Sequence, residues 1–170
     1  MRKQSTSQIF YSLAWSLPMF LLVLYTAFNV SLLLDKTFNL PIPLTSPANM
    51  FLASILVIIF FPVLVTSAYY LIRFGGGSPN PFHASPVNLV TTGPYRYIRH
   101  PMNLTYPFLV LGAASYLNSF SAIFFLTPIS ALVFGYHALV IQEKGLTKQF
   151  GKEYEGYKKQ TGAFIPKTKK

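Results

Sequence analysis

Cysteine is absent from the chain. That excludes disulfides, thiolate nucleophiles and cysteine-ligated metals, and it leaves the compartment unreadable from redox chemistry. Acids are scarce: four Asp and Glu stand against fourteen Lys and Arg in 170 residues, for a net charge of +10. Charged residues are 11% of the sequence and hydrophobic ones 52%, too little polar surface for a soluble domain of this length. In a soluble protein such basicity would suggest nucleic acid. Here the basic residues are confined to a few segments, so they point to membrane topology and anionic lipid head groups, with no nucleic-acid partner. Three scattered histidines with a single acid near them make a poor ligand set, so no metal is expected.

Long charge-free runs fill the space that charge vacates. The first, residues 8–34, is long enough to cross a bilayer, which takes about 20 helical residues. A basic start at Arg2 and Lys3 looks like a signal peptide, but the apolar run is too long for one and no small-residue cleavage site follows, so the segment is read as a retained membrane helix. Pro18 sits inside it, which membrane helices tolerate. A short proline-bearing loop separates it from a second run, residues 48–72, which Arg73 closes. The segment 73–101 is then a long polar loop. Gly75-Gly76-Gly77 and two prolines forbid helix at its start, while Phe82, Val87, Leu89 and Val90 argue against disorder.

From Met102 to Ile141 there are 40 residues without Asp, Glu, Lys or Arg, about twice what one span needs. Tyr116-Leu117-Asn118-Ser119 offers a turn in the middle. The run therefore reads as a tight hairpin with arms 102–116 and 120–141. The tail, 142–170, carries Leu146, Phe150, Tyr154 and Tyr157 on one helical face with lysines on its flanks, as in a basic amphipathic helix. Four spans with both ends on one side place thirteen of the fourteen Lys and Arg there and leave only Lys36 opposite. The expectation is an all-α integral membrane protein: a single membrane domain, residues 1–170, of four transmembrane helices, a cytosolic loop and a C-terminal amphipathic helix. Its setting is a cell membrane, with both termini cytoplasmic.

That topology brings chemistry together. Gly93-Pro94-Tyr95-Arg96-Tyr97-Ile98-Arg99-His100-Pro101 packs two arginines, two tyrosines and a histidine into six residues just before the third apolar run. Positive-inside anchoring with interfacial tyrosines would explain such a cluster, and so would binding of an anionic or nucleotide-like ligand. Glu143, the sole acid between Asp35 and Glu153, lies where an apolar helix leaves the membrane. A carboxylate there is costly unless paired or used, so either it tethers Arg96 or Arg99, or it accepts from a ligand's hydroxyls or ammonium. His83 reads as a surface residue, His137 as a polar contact within the bundle, and Tyr69 and Tyr70 as belt residues.

The Gly93–Met102 motif, followed after one hairpin by Glu143, Leu146, Phe150-Gly151, Tyr154, Tyr157 and Pro166, resembles the isoprenylcysteine carboxyl methyltransferase family and its phospholipid methyltransferase relatives. The Gly75–Phe82 loop resembles the small prokaryotic branch. The resemblance covers residues 73–166 and implies an integral-membrane enzyme using S-adenosylmethionine. Its cofactor would lie in a cytosolic-side pocket roofed by the C-terminal segment, and a hydrophobic methyl acceptor would arrive from the bilayer between helices. Tyr95, Arg96, His100 and Pro101 would then line the cofactor pocket, and Glu143 would hold the cofactor's polar groups, with Gln142 beside it where the family often has a second glutamate.

The residue types suit this ligand. A sulfonium cation is drawn to the faces of Tyr95 or Tyr97 by about 0.5–2 kcal/mol. Arg96 or Arg99 would grip a carboxylate with two N–H donors, and Gly76 would allow close backbone approach. Arg99 and His100 are the candidates for a catalytic role. The sequence departs from the family pattern at Asn103 (commonly Tyr), Thr105 (commonly Gly), Gln142, and Thr161-Gly162-Ala163 (commonly Val-Pro-Arg). The acceptor stays open among prenylated cysteine, phospholipid amine, thiol and isoprenoid acid. Two other readings remain: a relative of the membrane sterol reductases using a reduced nicotinamide cofactor, and a non-catalytic protein whose basic face docks on anionic membrane lipids.

Overall fold

The computed structural model of the chain describes residues 6–76 and 86–167. The middle of the glycine–proline loop, with Phe82 and His83, and the basic residues at both extremities lie outside these. The charge-free runs all form helix: α1 (Thr6–Thr37), α2 (Ala48–Tyr70), α3 (Pro101–Leu117) and α4 (Thr127–Tyr136), followed by the shorter α5 (Glu143–Phe150) and α6 (Lys152–Gln160). A π-helical turn, Leu71–Gly75, prolongs α2; two more, Ala122–Leu126 and His137–Gln142, flank α4 and join it to α5. Among the described residues, the helices form five rods.

Among the described residues, three stretches are long and apolar enough to cross a membrane: Pro18–Thr37, Ala48–Gly75 and Ala122–Phe150. At 17 residues, α3 falls below the length of about 20 that a span ordinarily takes. The chain is an integral membrane protein on these three, and its surface agrees. Leu132, Ile58 and Met19 are about 70% exposed, while Ser67, Thr105, Ser115 and Ser119 are fully buried. Apolar outside and small polar inside is how helices pack in lipid, where polar groups need partners within the bundle.

The rods alternate in direction, and side chains record it at both ends. At one end Asn118, in a left-handed conformation after α3, donates Nδ2 to the Leu44 carbonyl (2.7 Å) and accepts the Leu44 N–H at Oδ1 (3.1 Å). Asp35, near the end of α1, receives the Ser121 N–H (2.8 Å) and the Ser119 hydroxyl (2.5 Å), capping the rod that follows. At the other end Tyr95, just before α3, reaches the Ser67 carbonyl on α2 (3.4 Å). So α3 runs antiparallel along α2. They approach closely where Gly112 faces Leu56 and Ala53, and Phe60 stacks flat on Phe108 at 4.1 Å. Tyr106 stacks on Phe134 of α4 (4.6 Å) and meets Phe20 of α1 edge-on (5.8 Å).

The tail differs from the single helix expected from Gln142 onward. The fourth rod does not end at Ile141 but continues to Phe150. Gly151 (φ 51°) breaks it there, and α6 sets off afresh. Hence Leu146 and Phe150 share one helix while Tyr154 and Tyr157 belong to another, and the fully buried Tyr154 is a core residue. The glycine at this joint permits a backbone that other residues avoid.

Candidate active site

The site forms at the end of the bundle where α2 stops, α3 starts and the fourth rod emerges. Gly93 (φ 60°) opens the motif beneath the Tyr70 ring; a Cβ there would lie 2.5 Å from a ring carbon, so only glycine fits. A 3-10 turn, Gly93–Arg96, follows, and Pro101 starts α3 at the first position, where its missing N–H costs nothing. Between them the backbone is extended enough to pair with the C-terminal segment: the Arg99 N–H donates to the Gly162 carbonyl (2.8 Å) and the His100 N–H to that of Ala163 (3.1 Å). These bonds use main-chain carbonyls, and position 162 is further restricted, because a Cβ there would collide with the Ile165 carbonyl oxygen.

Arg99 is the hub. Its Nε and Nη2 both donate to Glu143 Oε1 (3.1 and 2.5 Å), and Nη1 donates to the carbonyls of Lys158 and Thr161. Lys158 Nζ closes the other carboxylate oxygen, Oε2, at 2.9 Å. One buried guanidinium thus ties the start of α3, the fourth rod and α6 together. His100, 4% exposed, lies alongside, with Nδ1 3.1 Å from Gln142 Oε1 and Nε2 3.5 Å from Glu143 Oε1. Asn103, one turn further along α3, donates Nδ2 to the same Gln142 oxygen at 2.7 Å. The π turn His137–Gln142 immediately precedes the pair 142–143; such turns alter helix register and recur at functional sites. Phe164 covers the His100 ring at 6.0 Å between centroids.

Of the residues singled out from sequence, Arg99, His100, Gln142 and Glu143 come together, with Pro101 buried beneath them as the helix start. Arg96 and Tyr97 are exposed and join none of these bonds. Tyr95 is buried, its carbonyl receiving the Tyr157 hydroxyl at 2.5 Å, so it acts as a wedge between α2 and α6. Burial pushes its own phenol, and that of Tyr157, well above the usual range. Burial also lifts Tyr154 to about 12, with the Glu143 charge adding to the effect and Arg99 opposing it. Gly76 (φ 60°) packs near Val87, and among the described residues no cluster side chain lies within 4 Å of where its Cβ would be. In the sequence, Asn103 and Thr161-Gly162-Ala163 are departures at substrate-side positions and Lys158 is a flanking lysine; their places around Gln142 and Glu143 are not legible there. Lys158 is one of several evenly spread lysines, and only the break at Gly151 folds it back onto Glu143.

A membrane-embedded helical protein with a buried carboxylate–guanidinium–imidazole cluster at one end of its bundle is the class these features define. The phospholipid methyltransferase family model matches residues 48–153, which takes in α2, the loop, α3, the fourth rod and Glu143. The chain belongs to that family. It is therefore a membrane methyltransferase that uses S-adenosylmethionine and carries a methyl group to a lipid-type acceptor. Among curated proteins, none matches this sequence.

Proposed function

We propose that the cluster around Glu143 is the S-adenosylmethionine site and that the methyl acceptor is a lipid-borne carboxylate of the isoprenylcysteine type. The observation that carries this is the meeting of Arg99, His100, Gln142 and Glu143 at one end of the bundle, across 44 residues of chain. Bound there, the cofactor supplies an electrophilic methyl group on a sulfonium. The residues present suit such a ligand. His100 Nε2, Asn103 Oδ1 and the Tyr154 hydroxyl are buried polar atoms without a hydrogen-bond partner among the described residues, which is what a site shaped for a polar ligand leaves behind.

Each residue then has a task. Glu143, with His100, receives the donors of the amino-acid end of the cofactor. Arg99 keeps the Glu143 carboxylate in place and so is not the group that grips a ligand carboxylate; the exposed Arg96 takes that part. Tyr97 offers its ring face to positive charge, and Gly76 permits close backbone approach. Pro101 and Tyr95 set the backbone that carries Arg99 and His100. Exclusion of water falls to Phe164 and the segment bridged at Gly162. Gln142, neutral where an acid is common, lowers the negative charge beside the site. That favours an anionic nucleophile, and a carboxylate needs no general base to attack. Positioning then carries much of the barrier.

Four crossings with both termini cytoplasmic complete the proposal. The antiparallel run of α3 beside α2, from Tyr95–Ser67 to Asn118–Leu44, supports a crossing by the shorter helix too. Reporter fusions at either terminus and in the 38–46 loop are expected to report opposite sides. The functional test is binding of S-adenosylmethionine to the purified protein in lipid, with loss on Glu143→Ala. Labelled methyl from it is then offered to a prenylcysteine analogue and to aminophospholipid vesicles. A base-labile ester on the prenylcysteine supports the carboxylate acceptor; a base-stable product on the phospholipid overturns it. Absence of donor binding overturns the site.

A further inference from the structure

His100 and Asn103 converge on a single atom. Gln142 Oε1 lies 3.1 Å from His100 Nδ1 and 2.7 Å from Asn103 Nδ2, and both converging residues are only 4% exposed. Asn103 lies in the first turn of α3, and His100 is the non-helical residue just before that helix (φ −124°, ψ 57°), so the turn at the helix start sets their convergence. A carboxamide that accepts from Asn103 through its oxygen presents that same oxygen to His100. The ring nitrogen facing it must then carry the proton, because an oxygen can only accept. In the neutral ring the other nitrogen, Nε2, is left with a lone pair. It is buried, lacks a hydrogen-bond partner among the described residues, and looks across 3.5 Å at another acceptor, Glu143 Oε1. With the ring neutral, two acceptors held that close lack a donor, and a ligand ammonium has several N–H bonds to give.

We infer that Asn103 is a positioning residue: by holding the Gln142 carboxamide it fixes His100 as the Nδ1–H tautomer, so that His100 Nε2 and Glu143 Oε1 together receive the ammonium group of the cofactor. The inference rests on the reading of this cluster as the S-adenosylmethionine site. It also explains how a glutamine serves at 142. A glutamate shows oxygen to His100 whichever way it turns; a glutamine shows oxygen only if something holds it, and Asn103 does. Which partner the second nitrogen of an imidazole meets is what sets its tautomer.

The test compares two probes, S-adenosylhomocysteine, which carries the ammonium, and methylthioadenosine, which lacks the amino-acid end. Asn103→Leu is expected to weaken S-adenosylhomocysteine by about tenfold, the size of one hydrogen bond to a charged group. It is expected to leave methylthioadenosine unchanged. Adding Gln142→Glu to Asn103→Leu is expected to restore the lost affinity, since the carboxylate needs no holding. Equal weakening of both probes, or no restoration, overturns the inference. Nitrogen-15 NMR of the histidine-labelled wild-type protein, free of ligand, needs no variant. His100 is expected as the Nδ1–H tautomer, and finding the proton on Nε2 overturns the inference. Should the wild-type protein bind neither probe, the site reading fails, while the tautomer measurement still decides the role of Asn103.

Discussion

Arg99 and Glu143 lie 44 residues apart in sequence and 2.5 Å apart at Nη2 and Oε1, with both side chains about nine-tenths buried. The pair serves two ends at once. It neutralises a carboxylate at the edge of an apolar helix, where an unpaired charge is costly. It also spends the guanidinium's third nitrogen on the carbonyls of Lys158 and Thr161, so the C-terminal segment is held to the same point.

The two cations on Glu143 are expected to differ in weight. Arg99→Lys cannot reach the carboxylate and two carbonyls together, since a single ammonium lacks the planar fork. It is expected to cost at least about 2 kcal/mol, read as a lower thermal midpoint in detergent, and to make the chain after Gly151 sensitive to limited proteolysis. Lys158 is over a third exposed, and Lys158→Met is expected to shift stability by about 1 kcal/mol or less. Equal losses from the two changes would contradict the hub role of Arg99.

Gly93 is expected to tolerate no side chain. Its φ of 60° costs another residue roughly 1–2 kcal/mol, and a Cβ would overlap the Tyr70 ring at 2.5 Å. Gly93→Ala is expected to lower the thermal midpoint and weaken S-adenosylmethionine binding, because the turn that sets Arg99 and His100 is displaced. Tyr70→Leu added to it is expected to recover part of the midpoint by removing the overlap. No recovery would mean that backbone strain dominates.

Asn118 is expected to matter for stability and not for the ligand. It satisfies both main-chain groups of Leu44 at the end of the bundle opposite Arg99. Asn118→Ala loses both bonds and retains a positive φ (54°), at a cost of about 2–4 kcal/mol. Asn118→Gly loses the bonds without the strain and is expected to cost less. Donor affinity measured on the folded fraction is expected to stay at the wild-type value for both.

Gly112 tests how closely α2 and α3 must approach. A Cβ there would sit 3.4 Å from Leu56 Cβ, an ordinary contact, so Gly112→Ala is expected to be near neutral. Gly112→Leu has no room and is expected to cost about 1–3 kcal/mol in thermal unfolding, by forcing the helices apart.

Much of this architecture is legible in the order of residues. The charge-free runs become the long helices because nothing in them can be left unpaired in lipid except as helix. The Gly93–Pro101 motif and Glu143 stand out because charge is so rare around them. The tail was less legible. Leu146, Phe150, Tyr154 and Tyr157 keep a helical spacing straight through Gly151, and periodicity carries no mark of where a glycine takes a positive φ. The division of labour among the arginines was also hidden. Arg96 and Arg99 are three residues apart and chemically alike, yet one is exposed and the other is bonded to three partners.

The amino-acid order by itself determines that this chain enters a membrane, roughly where its helices run, and which handful of polar residues can carry chemistry. Those follow from local properties: the absence of charge over a span's length, and the cost of placing an isolated carboxylate beside lipid. Which arginine meets Glu143, that Lys158 folds back onto it, and that Asn103 and His100 share one glutamine oxygen were decided only in three dimensions. Each depends on how α3, the fourth rod and α6 pack, and contacts between residues 15 to 62 positions apart leave no periodic trace in the chain.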